Sequence, residues 1–159
     1  MKNITITSEF KVYRYEELDK QDQELIDRAK KECETSYSPY SQFAVGAAAK
    51  LANGTIVSGS NQENAAFPSG TCAERTTLFY ANSKYPDQPV DTLAVAAFTK
   101  GVFLDKPIPP CGACRQVVLE VEKRYKQPIR ILLNGEEGIY ECEGIADLLP
   151  LSFDSSSMD

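Results

Sequence analysis

Apolar side chains return at Leu25, Ile26, Ala29 and Cys33, while Asp, Lys and Glu fill most positions between them. That spacing gathers the apolar residues on one helix face and predicts a helix over 18–35. Ser38-Pro39-Tyr40 breaks it, since proline cannot continue a helix interior. Residues 43–51 are mostly small and apolar and read as a buried strand; 55–60 form a second short run. The Asn53-Gly54 pair between them predicts a hairpin. Pro68 and Gly70 make 61–71 a loop, and 72–83 a helix ended at Tyr85-Pro86. The unbroken Val/Ala run at 90–99 suits a central strand covered on both faces. A Pro-rich connector, 106–110, leads into a helix over 112–125 with Val117, Val118 and Val121 on one side. Strands at 129–133 and 139–143 flank the Asn134-Gly135 turn, and 145–149 forms a short helix before Pro150. At the start of the chain, Ile4, Ile6, Phe10 and Val12 alternate loosely and predict a short extended arm over 3–13.

Helices alternating with strands predict an α/β fold, with three layers in which a mixed sheet of about five strands carries helices on both faces. At 159 residues the chain reads as one domain, 1–159, with 1–17 as an N-terminal extension and the polar 154–159 as a loose tail. A composition of 42% hydrophobic and 25% charged residues belongs to an ordinary globular protein with a core of its own. No apolar run approaches the roughly 20 residues that span a bilayer, so no membrane is expected. The first residues lack the apolar core of a secretory signal, which points to the cytoplasm. The net charge of -6 opposes a phosphate backbone, so no nucleic acid polymer is expected as partner.

Histidine is absent. Proton transfer must then use carboxylates, Lys, Tyr or Cys, and a soft-metal site must be built from sulfur. The five cysteines, at 33, 72, 111, 114 and 142, are odd in number and ill suited to a disulfide framework. Three of them stand in two motifs, Cys72-Ala73-Glu74 and Pro110-Cys111-Gly112-Ala113-Cys114, each at the start of a predicted helix. Cys111 and Cys114 lie three apart and face the same way on a first helical turn. Helix N-termini favour thiolates, so two helix starts can present three of them to one Zn2+ per chain. Three protein ligands leave the fourth tetrahedral position for water, the mark of a catalytic site. Glu74 is then the candidate proton shuttle. One or both of Arg75 and Arg115, each directly after a motif, are expected to donate hydrogen bonds to the sulfurs and offset their charge. The other readings are a redox pair at Cys111 and Cys114, or a closed structural site with Cys33 or Cys142 as fourth ligand.

The chain resembles the cytidine deaminases, small zinc enzymes of pyrimidine salvage, in the subtype with an all-cysteine metal site. The C-x-E and P-C-x-x-C pair belongs to zinc-dependent deaminases generally, a case the chemistry of base deamination describes. More specific are the ordered blocks from Ser38 to Phe153. They run Ser38-Pro39-Tyr40-Ser41-x-Phe43-x-Val45-Gly46-Ala47, Asn61-x-Glu63-Asn64-Ala65-Ala66, Cys72-Ala73-Glu74-Arg75, Pro110-Cys111-Gly112-Ala113-Cys114-Arg115-Gln116 and Leu148-Leu149-Pro150-x-x-Phe153. The resemblance implies hydrolytic deamination of cytidine and deoxycytidine to uridine and deoxyuridine. It implies Phe43 stacked on the pyrimidine, Asn61 and Glu63 on the ribose hydroxyl, and the Ala73 amide on the base carbonyl. It further implies a homotetramer with shared sites, in which Phe153 reaches a neighbouring subunit's pocket. Residues 1–17 have no counterpart in it. The competing functions are a blasticidin-S-type deaminase, an editing deaminase on polynucleotide, which the acidic charge disfavours, and a non-enzymatic zinc-stapled structural module.

Overall fold

The computed structural model describes residues 1–158. Its centre is one sheet of seven strands: β1 (Lys11–Tyr13), β2 (Phe43–Leu51), β3 (Ile56–Ser60), β4 (Val90–Thr99), β5 (Val102–Phe103), β6 (Arg130–Leu133) and β7 (Ile139–Cys142). The strand order is β1-β7-β6-β4-β2-β3, with β5 turned back onto β4. Only β4 and β6 run parallel; the remaining pairs are antiparallel. Three α-helices pack on this sheet: α1 (Lys20–Glu32), α2 (Ala73–Lys84) and α3 (Gly112–Tyr125).

Strand alternation divides the core in two. Ala47, Ala49, Leu51, Leu93, Val95, Ile131 and Leu133 join Leu78 of α2 and Val118 of α3 on one face. Ala48, Ala94, Ala96 and Leu132 join Leu25, Ile26 and Ala29 of α1 on the other. The sheet therefore lies between α1 and the α2–α3 pair, as the alternating order of elements implies. The α1 backbone comes close to β2: a Cβ on Gly46 would sit 2.0 Å from the Ala29 carbonyl oxygen. Only glycine fits there.

The sheet has seven strands where the sequence pattern gives about five. The two extra ones, β1 and β5, are three and two residues long; β5 is too short to show a period, and of the extended arm expected over 3–13 only Lys11–Tyr13 pairs as a strand. They exist through pairing: β5 closes a tight turn at Lys100 and Gly101, both at positive φ, and β1 adds to the β7 edge. Lys11 of β1 bonds Glu143 at 2.7 Å and Glu141 at 3.3 Å. Glu141 in turn meets Arg130, which is held at 2.5 and 2.6 Å by both oxygens of Asp22 from α1. One guanidinium thus joins helix, central sheet and edge.

α1 is shorter than the predicted 18–35. Asp19 caps it by accepting the Asp22 amide at 2.9 Å, and the last predicted residues tighten into a 3₁₀ turn, Cys33–Thr35. The short helix expected at 145–149 is likewise a 3₁₀ turn, Ile145–Asp147. The tail expected to be loose carries a turn over Ser155–Ser157, because Asp154 accepts the Ser156 amide at 2.9 Å and pairs with Lys123 at 2.7 Å; residue 159 lies outside the described residues.

Candidate functional site

The two helix starts meet. Cys72 is the N-cap of α2 and Cys111 the N-cap of α3, while Glu74 and Cys114 occupy the first turns. The Cys72 and Cys111 sulfurs are 3.7 Å apart, and those of Cys111 and Cys114 3.5 Å. All three lie within 4.8 Å of one another. Metal–sulfur bonds of about 2.3 Å at tetrahedral angles set sulfurs about 3.8 Å apart. The donor set is soft and its spacing fits zinc with one corner left over. Cys33 and Cys142 take no part. Cys33 donates weakly to the Ala29 and Ala96 carbonyls in the α1-side core, and Cys142 lies in the opposite core. Burial pushes their thiols up to about 11 and about 12.

The electrostatics favour a thiolate in the cluster. Cys72 is lowered to about 5, first by the thiol hydrogen bond from Cys114 and then by Arg75, against its burial. Cys114 is raised, first by donating that bond and then by burial. A cation would replace the shared proton. Arg75 Nη2 stands 3.8 Å from the Cys72 sulfur, where the sequence places it; its Nε is buried without a hydrogen-bond partner. Of the two arginines, Arg75 is the one that meets sulfur and Arg115 is not. Its Nε donates to the Pro110 carbonyl at 2.7 Å and its Nη1 to the Leu148 carbonyl at 2.6 Å, so its hydrogen bonds go to backbone rather than sulfur. Glu74 is only 4% exposed. Burial holds its carboxyl above the usual range, helped by the negative charge on Cys72. A carboxyl so placed is suited to take up a proton and pass it on.

A cavity of about 530 Å³ opens beside the cluster, lined by residues that include Tyr40, Asn61, Glu63, Phe67, Cys72 and Arg75. That is room for a nucleoside-sized ligand. The Tyr40 and Phe67 rings meet edge to face at 6.1 Å in its wall; sequence reasoning gave neither a role, although Tyr40 stands in the Ser-Pro-Tyr block. Glu63 Oε2 accepts the Tyr40 and Ser41 amides at 2.9 and 3.2 Å. Asn61 is more heavily engaged. Its Oδ1 accepts from Val45 N at 2.8 Å and Ser36 Oγ at 2.6 Å, and its Nδ2 donates to the Phe43 carbonyl at 2.9 Å. It pins the loop after β3 to the start of β2. Gln62 extends the same join, pairing with Tyr37 and with Thr71. Phe43 opens β2, half-buried, and is not among the cavity-lining residues. The Ala73 amide is the first of α2 and so lacks an intrahelical acceptor. Phe153 lies apart, 60% exposed, its carbonyl accepting from Gln116 Nε2 at 2.9 Å.

Residues 19–126 match the family described as the cytidine and deoxycytidylate deaminase zinc-binding region. The chain is 39% identical over 137 residues to the cytidine deaminase of Halalkalibacterium halodurans, covering 86% of this chain and 97% of that protein. It is 40% identical over 136 residues to that of Sporosarcina psychrophila, covering 86% and 93%. Among solved structures it resembles the cytidine deaminase of Burkholderia pseudomallei, with 39% identity and a TM-score of 0.69 over 82% of this chain and 97% of that one.

Proposed function

From the premise that the chain belongs to the cytidine deaminase family, whose members hydrolyse the exocyclic C–N bond of cytidine, we propose that it converts cytidine and deoxycytidine to uridine and deoxyuridine with one zinc per chain. The observation that carries this reading is the sulfur triad at tetrahedral spacing with a buried carboxyl two residues past its first member.

Cys72, Cys111 and Cys114 hold the metal. Zinc, when bound, supplies the Lewis acidity that makes water a nucleophile near neutral pH. Arg75 offsets the negative charge of three thiolates, which would otherwise weaken that acidity. Glu74 takes a proton from the attacking water and passes it to ring N3; it then takes the second proton, from the new C4 hydroxyl, and gives it to the leaving amine. The C4–N bond breaks, ammonia departs, and the water oxygen stays on C4 as the uracil carbonyl. The Ala73 amide holds the base carbonyl at the start of α2, and Phe43 stacks on the ring. Asn61 and Glu63 take the ribose hydroxyl on groups that backbone bonds already hold in place. Four copies of the chain assemble so that Phe153 of one reaches the cavity of another; its exposure, with that of Phe67, Phe79 and Tyr80, supports this. No helix of the described residues is long and apolar enough to cross a membrane. Five cysteines without a disulfide suit a reducing compartment, and we place the protein in the cytoplasm.

The experiment is an absorbance assay with cytidine, run before and after treatment with a strong chelator, beside free cytosine. Turnover of cytidine that chelation abolishes and zinc restores is expected, with little turnover of the free base. A chelated protein that retains full activity would overturn the metal assignment. Equal rates on cytosine would remove the ribose contacts.

A further inference from the structure

The departure at Arg115 leads to a role for that residue. The Pro110 carbonyl, which its Nε engages at 2.7 Å, belongs to the residue directly before Cys111. The Leu148 carbonyl, which its Nη1 engages at 2.6 Å, ends the Ile145–Asp147 turn and begins the segment that leads to Phe153. A guanidinium is planar and keeps its charge, so two charge-assisted bonds through one plane fix the two backbones relative to each other. The next residue of the helix adds a second tie, Gln116 to the Phe153 carbonyl at 2.9 Å, and Lys123 a third, to Asp154 at 2.7 Å. Between the first two anchors the chain reverses at Leu151, a non-glycine residue at φ 53. Such a conformation persists only where its surroundings hold it. The Phe153 ring is nevertheless 60% exposed on the single chain: its backbone is bound while the ring is left open to a neighbouring copy.

The geometry points to Arg115 as a positioning residue that joins the entry of α3, and with it Cys111, to the C-terminal segment, so that one side chain sets the place of both a metal ligand and Phe153. This rests on the proposed metal site for its first half; the tie to Phe153 stands independently of it. A lysine, with a single ammonium in place of the fork, cannot reproduce both bonds in one plane.

The chain contains no tryptophan, so Phe153→Trp gives a single fluorophore on the segment. In that protein, loaded with zinc, two quantities are read: tryptophan anisotropy, and the rate of zinc release to a chromogenic chelator. Arg115→Met is expected to lower the anisotropy and to speed zinc release several-fold. Gln116→Ala is expected to lower the anisotropy and leave release unchanged, which separates the bridge from general loosening; melting temperature serves as the fold control. If Arg115→Met does not fold, Arg115→Lys is read in its place, with smaller changes of the same kind. A change in only one quantity, or in neither, overturns the bridge. Zinc binding by the parent Phe153→Trp protein is measured first. Its absence would overturn the metal assignment alone, and the anisotropy would then decide the tie to the segment.

Discussion

Asn61→Ala removes three hydrogen bonds at once. The lost partners are the Val45 amide, the Ser36 hydroxyl and the Phe43 carbonyl, at 2.8, 2.6 and 2.9 Å. Ser36 can turn to water, but the two backbone groups sit at the start of β2 and are partly shielded. At about 1 kcal/mol per bond the loss is about 3 kcal/mol. A protein of this size loses roughly 2–4 °C of melting temperature per kcal/mol, so a fall of about 6–12 °C is expected in calorimetry. Asn61→Asp keeps the two accepted bonds but sets a carboxylate oxygen against the Phe43 carbonyl, and is expected to melt lower as well. Because the pinned loop walls the cavity, KM for cytidine should rise in both variants. A melting temperature for Asn61→Ala within about 2 °C of the parent would refute the pinning role assigned from these bonds.

Glu74→Gln should keep its zinc and lose turnover by several orders of magnitude, since an amide cannot carry the proton; near-normal kcat, measured with zinc content, would remove Glu74 from the reaction. Gly46→Ala would drive a Cβ to 2.0 Å from the Ala29 carbonyl and 2.8 Å from the Cys33 amide. Helix backbone cannot yield as a side chain does, so the cost should exceed the usual 1–3 kcal/mol or so of overpacking and lower the melting temperature by about 10 °C or more. Burial raises Glu122 above its ordinary 4.5 although it accepts the Ile129 and Ile145 amides. The folded state then binds this proton more tightly than the unfolded chain does, so stability present below 4.5 is lost as pH rises through the folded value. Glu122→Gln keeps an acceptor for both amides without the charge. It should raise the melting temperature near pH 7.5 and change it little near about pH 4; an equal shift at both would contradict the sign.

What the sequence displays and what it hides follow from range. The helix at 112–125 and the strand at 90–99 are readable to the residue: each has a period or an unbroken apolar run longer than a turn, and polar or Pro-rich flanks. Strand β5 carries no such signal and β1 only the loose alternation of the arm around it, since their order comes from pairing with β4 and β7. The cysteine triad is legible because its two motifs fix the sulfur spacing locally, leaving the fold only to bring two helix starts together. Arg115 and Asn61 are different. Their positions in the motifs are visible, but their partners are backbone groups of residues 33 and 16–18 positions away, which nothing local announces. The aromatic wall of Tyr40 and Phe67 is hidden for the same reason, being assembled from two loops.

X-ray absorption at the zinc edge of the purified protein tests the metal centre most directly. Three sulfurs at about 2.3 Å and one oxygen at about 2.0–2.2 Å are expected. Four sulfurs around the metal would contradict a catalytic site and leave a structural one.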